Sequence, residues 1–100
     1  MTKGTFFNLA KKSNAYSHGE YNQGSSCYFC FKVKDFKYNV HMYMHDKQSF
    51  LIDDGESIIF ETDNEYRFLH ILNLIKIEAI NNNRRLEKTK QWDTILKKFN

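Results

Sequence analysis

The chain has 100 residues, with an apolar share of 41% that includes nine Phe and six Tyr, and a charged share of 27%. A chain of this length builds one core, so its composition predicts a single domain over residues 1–100 and argues against wholesale disorder. The formal charge is +3, and no stretch approaches the roughly 18 consecutive apolar residues that a membrane span requires.

The N-terminal residues and the cysteines bear on the compartment. Residues 1–8 contain neither the apolar region nor the cleavage site of a signal peptide, so we expect a cytoplasmic protein that has no membrane partner. Cys27 and Cys30 lie too close together to staple a domain, and a strand would point them to opposite faces. We therefore expect two free thiols, and no cofactor.

The charge is distributed unevenly along the chain. Residues 1–50 carry seven lysines against three acidic residues, a net charge of +4. Residues 51–80 carry two basic against seven acidic residues, a net charge of −5, and residues 81–100 carry six basic against two acidic residues, a net charge of +4. An acidic segment therefore lies between two basic segments, and a partner could contact a surface of either charge.

The first two segments differ in how clearly they indicate structure. Residues 1–12 suit a short strand or a helical turn, because the apolar run around Phe6 and Phe7 is too brief for its period to decide. Residues 13–26 are turn-rich, with two glycines and no apolar period, and predict a long polar loop. Loops of this length are usually functional or disordered, so Tyr16, His18 and Tyr21 are candidates for contact with a partner, and a mobile polar loop is the alternative.

Four short runs rich in aromatic and β-branched residues predict an antiparallel meander. They cover residues 26–33, 38–45, 49–53 and 56–61. Asp54-Gly55, between two apolar runs, is the strongest short-range signal for a hairpin turn.

Two helices are predicted after the strands. Thr62 at the cap with Glu65 three residues later forms a capping box, and one apolar face then runs from Phe68 to Ala79, which indicates a helix from about Asp63 to Ile80. Apolar residues at the i, i+3, i+4 and i+7 positions predict a second helix over about residues 86–99. The predicted fold is therefore α+β, a four-stranded antiparallel meander followed by two C-terminal helices packed on one face.

Cys27, Cys30, His41 and His45 follow a C-x2-C…H-x3-H order that resembles the Cys2His2 zinc finger. The resemblance is partial, because about twelve residues separate the second cysteine from the first histidine in that family and its histidines lie on a helix. Here ten residues intervene, and the histidines lie in an alternating pattern that indicates a strand.

A four-residue turn at residues 34–37 would pair Val33 with Tyr38 and place Cys27 on the apolar face, away from both histidines. Only Cys30, opposite His41, and His45 could then approach a metal, so we expect no zinc. The same pairing places a second set of side chains on the opposite face of the sheet. There the rings could stack on bases and the lysine could bind phosphate. Alternatively, another element covers that face and the rings belong to the core. That set comprises Tyr28, Lys32, His41, Tyr43 and His45.

Motifs for catalysis are missing from the sequence. The four glycines are scattered and form no phosphate-binding loop, and a hairpin turn accounts for the carboxylates around Asp54. Cys30 opposite His41 is the one nucleophile and base within reach, and it has no evident orienting group. We therefore expect no catalytic residues and no enzyme.

The predicted C-terminal helix carries a basic set, which is either a solvated surface or a contact for phosphate or for an acidic protein surface. The set comprises Arg84, Arg85, Lys88, Lys90, Lys97 and Lys98.

Two functions follow from these patterns. The absence of proline, with twelve Lys against three Arg and ten Asn, indicates an AT-rich coding sequence. In this the chain resembles small accessory proteins of phages and mobile elements of low-GC bacteria, which would act in the host cytoplasm. The leading hypothesis is an inhibitor or adaptor that binds a host protein through the loop over residues 13–26 and the sheet edge. Examples of such a host protein are a nucleic-acid-processing enzyme and an anti-phage defence complex such as CRISPR–Cas. The alternative is a small nucleic-acid-binding protein that uses the Tyr/His sheet face and the basic helix, although its pI near 8.8 is below that of dedicated binders.

Overall fold

The structure is a computed structural model that describes residues 1–21 and 26–81. In chain order its elements are α1 (Lys3–Lys12), β1 (Ser17–Glu20), β2 (Cys27–Val33), β3 (Phe36–Tyr43), β4 (Ser49–Asp53), β5 (Ile58–Thr62) and α2 (Glu65–Asn81). The five strands form one antiparallel sheet in the order β1-β2-β3-β4-β5. The α+β class is thus confirmed, but the sheet has five strands rather than four, and α1 precedes the sheet. The predicted helix over residues 86–99 lies outside the described residues.

The additional strand lies inside the segment that was predicted to be a polar loop. β1 pairs with the first half of β2, so that Ser17 lies opposite Cys30 and Glu20 lies opposite Cys27. The sequence Ser-His-Gly-Glu has no apolar alternation, and its conformation is set by the neighbouring strand rather than by local propensity. The prediction of a loop from residue 13 to residue 26 was therefore wrong over these four residues.

α1 resolves the choice left open for the first twelve residues. Thr2 caps the helix, because its Oγ1 accepts a hydrogen bond from the Thr5 amide at 3.1 Å. Lys11 and Lys12 lie in the last turn, where they complement the helix dipole. Phe6 is buried, with its ring centroid 5.0 Å from that of Phe29, so tertiary packing selects the helix over the strand.

The β2–β3 hairpin closes through a tighter turn than the sequence predicted. Val33 pairs with Phe36 across the two residues Lys34 and Asp35, and Lys34 takes a positive φ of 52°. The register therefore differs by two residues from the predicted one, and Cys30 lies opposite Asn39 rather than His41. A shift of two residues keeps every side chain on its own face, so the predicted division into two faces holds.

The β4–β5 hairpin forms at Asp54-Gly55, as predicted, and Gly55 adopts a φ of 89° that favours glycine. The helix that follows matches its prediction within two residues, but its cap differs. Asn64 Oδ1 accepts a hydrogen bond from the Arg67 amide at 3.0 Å, so Asn64 rather than Thr62 caps α2.

One face of the sheet, here called the core face, packs against both helices. α1 and α2 contribute Phe6, Phe68 and Ile71 to a continuous apolar cluster with the buried residues of the strands. The strand residues in this cluster are Cys27, Phe29, Phe31, Tyr38, Val40, Met42, Phe50, Ile52 and Ile59. Neither α1 nor α2 is long and apolar enough to cross a membrane.

Candidate functional site

The opposite side of the sheet, here called the outer face, carries the polar and aromatic half of each alternating strand. Within residues 1–21 and 26–81 neither helix packs against it, because both contribute to the cluster on the core face. Strand alternation assigns to it Tyr28, Cys30 and Lys32 of β2, Lys37, Asn39, His41 and Tyr43 of β3, Leu51 and Asp53 of β4, and Glu61 of β5.

Four rings form an aromatic cluster at the centre of the outer face: Tyr21, Tyr28, His41 and Tyr43. The Tyr21 ring lies 5.3 Å from the Tyr28 ring, 6.1 Å from the His41 ring and 6.2 Å from the Tyr43 ring. His41 and Tyr43 are two residues apart on β3, and their rings lie 5.8 Å apart at an interplanar angle of 2°. Tyr21 follows β1 and joins rings that two other strands supply.

Gly19 allows Tyr28 to reach across β1 towards Tyr21. A Cβ atom at Gly19 would lie 3.1 Å from the Tyr28 hydroxyl and 3.2 Å from the ring. Any larger residue would therefore press against the ring. Glycine lowers the β-propensity of this edge strand, but it leaves room for the Tyr28 ring. The pairing of an edge glycine with an aromatic ring is known from other sheets.

A chain of hydrogen bonds runs through the cluster from Tyr21 to His41 to Asp53. His41 Nε2 lies 2.8 Å from Asp53 Oδ2, and the Tyr21 hydroxyl bonds to His41 Nδ1. An ionised carboxylate can only accept, so Nε2 carries the proton, and the other nitrogen of a neutral imidazole then accepts from the phenol. The three groups thus fix one tautomer and hold the phenol of Tyr21 in place.

Asp53 anchors this chain. Its carboxylate also accepts hydrogen bonds from Asn39 Nδ2 at 2.7 Å and from the Gly55 amide at 2.9 Å. Its negative charge raises the pKa of three neighbours on the outer face. Burial, with further contributions from Tyr43 and Asp53, raises the pKa of Tyr21 to about 12, and burial followed by Asp53 raises the pKa of Tyr43 and of Cys30.

The Tyr21–His41–Asp53 chain has the order of nucleophile, base and orienting group that nucleophilic enzymes use. Asp53 is the orienting group that could not be named from the sequence, and the predicted pairing of Cys30 with His41 was wrong. Burial raises the pKa of Tyr21 to about 12, so the phenol is protonated at neutral pH and can donate its proton to His41 Nδ1. The arrangement holds rings and polar groups in fixed positions.

Of the seven residues predicted to contact a partner, Tyr21, Tyr28, His41 and Tyr43 meet on the outer face, and the other three do not. Tyr16 is exposed and precedes β1. His18 lies on the core-face side, with its ring 5.6 Å from that of Phe7. His45 is exposed in the β3–β4 connection, 3.6 Å from Asp46.

Lys32 lies on the outer face, directly opposite Lys37. The remaining predicted basic set lies outside the described residues; it comprises Arg84, Arg85, Lys88, Lys90, Lys97 and Lys98.

The zinc-finger resemblance is not matched by the geometry of its residues. Cys27 is buried on the core face, whereas Cys30 lies on the outer face. Both ring nitrogens of His41 have hydrogen-bond partners, and no group of three metal-binding side chains is found in the described part of the chain. The expectation that the protein binds no zinc stays a prediction.

Sequence reasoning missed two groups of residues. Asp53 was assigned to the hairpin turn, and its pairing opposite Asn39 depends on the register between β3 and β4, which no local pattern reveals. Lys76 Nζ lies 2.7 Å from Ser13 Oγ and 5.6 Å from the centre of the Phe31 ring, and burial lowers its pKa. Ser13 is itself buried, so this serine and lysine stabilise the junction of α1 and α2 and are not open to a substrate.

Comparison with known proteins adds no relative: no family model, curated protein or solved structure matches the chain.

Proposed function

We propose that the chain is a protein-binding module and that the aromatic cluster on the outer face is its contact surface. The observation that carries the proposal is the position of the cluster, on the sheet face opposite α1 and α2. Rings that served only to fill the core would lie beneath a helix, as Phe29 and Phe31 do.

The cluster has the properties of a protein-binding hot spot. Tyrosine is enriched at such positions because it buries a large apolar area, keeps a polar hydroxyl and loses little conformational freedom. Tyr21 and Tyr43 are each 36% exposed; their rings contact one another, and the Tyr21 hydroxyl also bonds to His41. These side chains would therefore lose little further conformational entropy when a partner binds.

The charges beside the cluster favour protein over nucleic acid as the partner. Asp53 Oδ2 lies 2.8 Å from His41 Nε2, and Glu61 pairs with Leu51 on the same face, so two carboxylates share the outer face with the aromatic cluster. Phosphate groups are repelled by such a surface. Lys32 and Lys37 lie at the opposite end of the outer face, next to the β2–β3 turn, and are the contact that a nucleic acid would use.

In its narrower form, the proposal is that the module acts as an inhibitor or adaptor of phage type that binds a host protein. Its support is the amino-acid composition, together with an aromatic face that neither α1 nor α2 covers. The outer face would then cover a surface that the host protein needs for its own interactions.

The experiment is an affinity purification of the tagged full chain from lysate of the source cells, with and without nuclease. Tyr43→Ala tests the cluster, and Tyr66→Ala is the matched control, because Tyr66 is 73% exposed on α2, away from the outer face. We expect nuclease-resistant capture of a protein that is lost in Tyr43→Ala and retained in Tyr66→Ala. Loss of a desolvated tyrosine anchor should weaken binding by about 2 kcal/mol or more.

Direct binding to nucleic acid distinguishes the alternative function. We expect single-stranded and duplex DNA to bind weakly and to dissociate as salt approaches the physiological range. Submicromolar DNA binding that survives physiological salt and is lost in Lys32→Ala would replace protein binding with nucleic-acid binding as the function.

A further inference from the structure

β1 forms one edge of the sheet, and no strand within residues 1–21 and 26–81 pairs with its other side. The Tyr21 amide donates to the Ser26 carbonyl at 2.9 Å, and antiparallel ladders alternate every second residue. Ser17 and Gly19 therefore bond towards β2, while the amide and carbonyl groups of His18 and Glu20 point away from the sheet. Such groups are a template for an added strand.

A row of three α1 side chains runs along this edge on the core-face side. Lys3 Nζ forms a salt bridge with Glu20 Oε1 at 2.9 Å, and the Phe7 ring lies 5.6 Å from the His18 ring. Lys11, one helical turn further on, lines the same cavity as Phe7 and His18. α1 thus runs antiparallel to β1 and presents lysine, phenylalanine and lysine at intervals of four residues.

A small cavity lies beside the middle of this row. It measures about 160 Å³ and is lined by Phe7, Ala10, Lys11, Ala15 and His18. Its lining is mainly apolar, and an apolar cavity of about this volume can hold a benzene-sized group. It is therefore large enough for one leucine side chain.

The charge around the cavity is basic. Among the described residues Lys11 and Lys12 form no ion pair, whereas Lys3 is bound to Glu20. An incoming strand would gain from a carboxylate near Lys11 at one end. At the other end a second carboxylate would share the Lys3 ammonium, which has three N–H donors, with Glu20.

The spacing of the row matches that of an added strand. Four helical residues advance about 6 Å, and two strand residues advance about 6.6 Å, so alternate residues of a strand on β1 would lie beside Lys11, Phe7 and Lys3 in turn. We propose that the β1 edge binds an extended segment of a partner protein with the pattern acidic, any, apolar, any, acidic. The apolar side chain enters the cavity, the two acidic side chains meet the lysines, and the backbone pairs with His18 and Glu20.

A second copy of the chain does not fit this description. The side chains that β1 itself would offer on the core-face side are those of His18 and Glu20, neither of which is apolar. A symmetric pair of edges would also bring Lys11 and Lys12 of two basic helices into one interface, which like charges disfavour. This proposal concerns a different surface from the aromatic cluster, so either can fail without the other.

The test titrates the isotopically labelled full chain with acetyl-Thr-Glu-Thr-Leu-Thr-Glu-Thr-amide, followed by amide chemical shifts. Comparison peptides replace the leucine with alanine or both glutamates with lysine. We expect shifts confined to β1 and the exposed side of α1, with a Kd on the order of 1 mM for so short a segment. The alanine peptide should bind about tenfold more weakly, since its side chain leaves the cavity unfilled.

Matched charge reversals on the protein complete the test. Lys11→Glu should weaken the glutamate peptide about fivefold, because an attraction becomes a repulsion, whereas Lys34→Glu in the distant β2–β3 turn should not change it. Equal binding of the glutamate and lysine peptides, shifts outside β1 and α1, or no shifts at millimolar peptide would each overturn the proposal. Self-association of the free chain through β1 in sedimentation analysis would overturn it as well.

Discussion

Asp53→Ala removes the acceptor that joins three parts of the outer face. The carboxylate accepts from His41 Nε2 at 2.8 Å, from Asn39 Nδ2 at 2.7 Å and from the Gly55 amide at 2.9 Å. Hydrogen bonds to a charged group contribute about 1.5 to 3 kcal/mol each where they are buried. The Asp53 side chain is 21% exposed, so water replaces part of this loss, and we expect destabilisation of about 2 to 3 kcal/mol in total.

The assay is thermal and denaturant unfolding of Asp53→Ala, Asn39→Ala and the double variant. For a domain of this size the expected loss lowers Tm by about 10 to 20 °C. Asn39→Ala removes one of the three donors and should cost about 1 kcal/mol, with a coupling energy to Asp53 of similar size. A Tm within about 3 °C of the parent, or additive losses in the double variant, would refute the assignment of Asp53 as the anchor.

A second measurement on the same variant reports the aromatic cluster directly. The charge of Asp53 contributes to the raised pKa of Tyr21, so the Tyr21 phenol should titrate at lower pH in Asp53→Ala. An unchanged titration would show that the charge of Asp53 does not contribute to this pKa.

Four further outcomes are expected. Leu72→Asp should unfold the protein, since Leu72 is 2% exposed and a buried unpaired carboxylate costs several kcal/mol against a total stability of about 5 to 15 kcal/mol; a cooperative melt by circular dichroism would contradict this. Elemental analysis should find no stoichiometric zinc, and a chelator should leave Tm unchanged; zinc lost in a Cys30→Ser, His41→Ala double variant would be the contrary result. In an absorbance titration the Tyr21 phenolate should appear near pH 12. Because the pKa of Tyr21 is raised from 10.0, its contribution to the free energy of unfolding is present below pH 10 and is lost as the pH rises from 10 towards 12. Tyr21→Phe should show neither the titration nor this loss. Lys76→Met should lower Tm, because the buried Ser13 Oγ loses its hydrogen bond of 2.7 Å from Lys76 Nζ; an unchanged or higher Tm would contradict the stabilising role of this contact.

The parts of the fold that the sequence predicted are those with strong local signals. The hairpin at Asp54-Gly55 and the helix around Phe68 and Leu72 depend on turn chemistry and on apolar periodicity, which act within a few residues. The division of β2 and β3 into two faces also follows from alternation alone, and it survived an error of two residues in the register.

The parts that the sequence did not predict depend on distant contacts. β1 exists because β2 offers it a partner, and α1 is selected by the contact of Phe6 with Phe29. Asp53 reaches His41 only because β3 and β4 pair in one register. Three of the four rings of the aromatic cluster, those of Tyr28, His41 and Tyr43, follow from alternation. Tyr21 joins them only because β1 forms where a loop was predicted.

The central claim is that the outer face contacts a protein, and site-specific photo-crosslinking tests it most directly. p-Benzoylphenylalanine would replace Tyr43 on the outer face or Tyr66 on α2, in otherwise unchanged full-length chains expressed in the source cells. We expect irradiation to give a discrete protein adduct from position 43 that resists nuclease, and none from position 66. Adducts from position 66 alone, or adducts from position 43 that nuclease removes, would contradict the account.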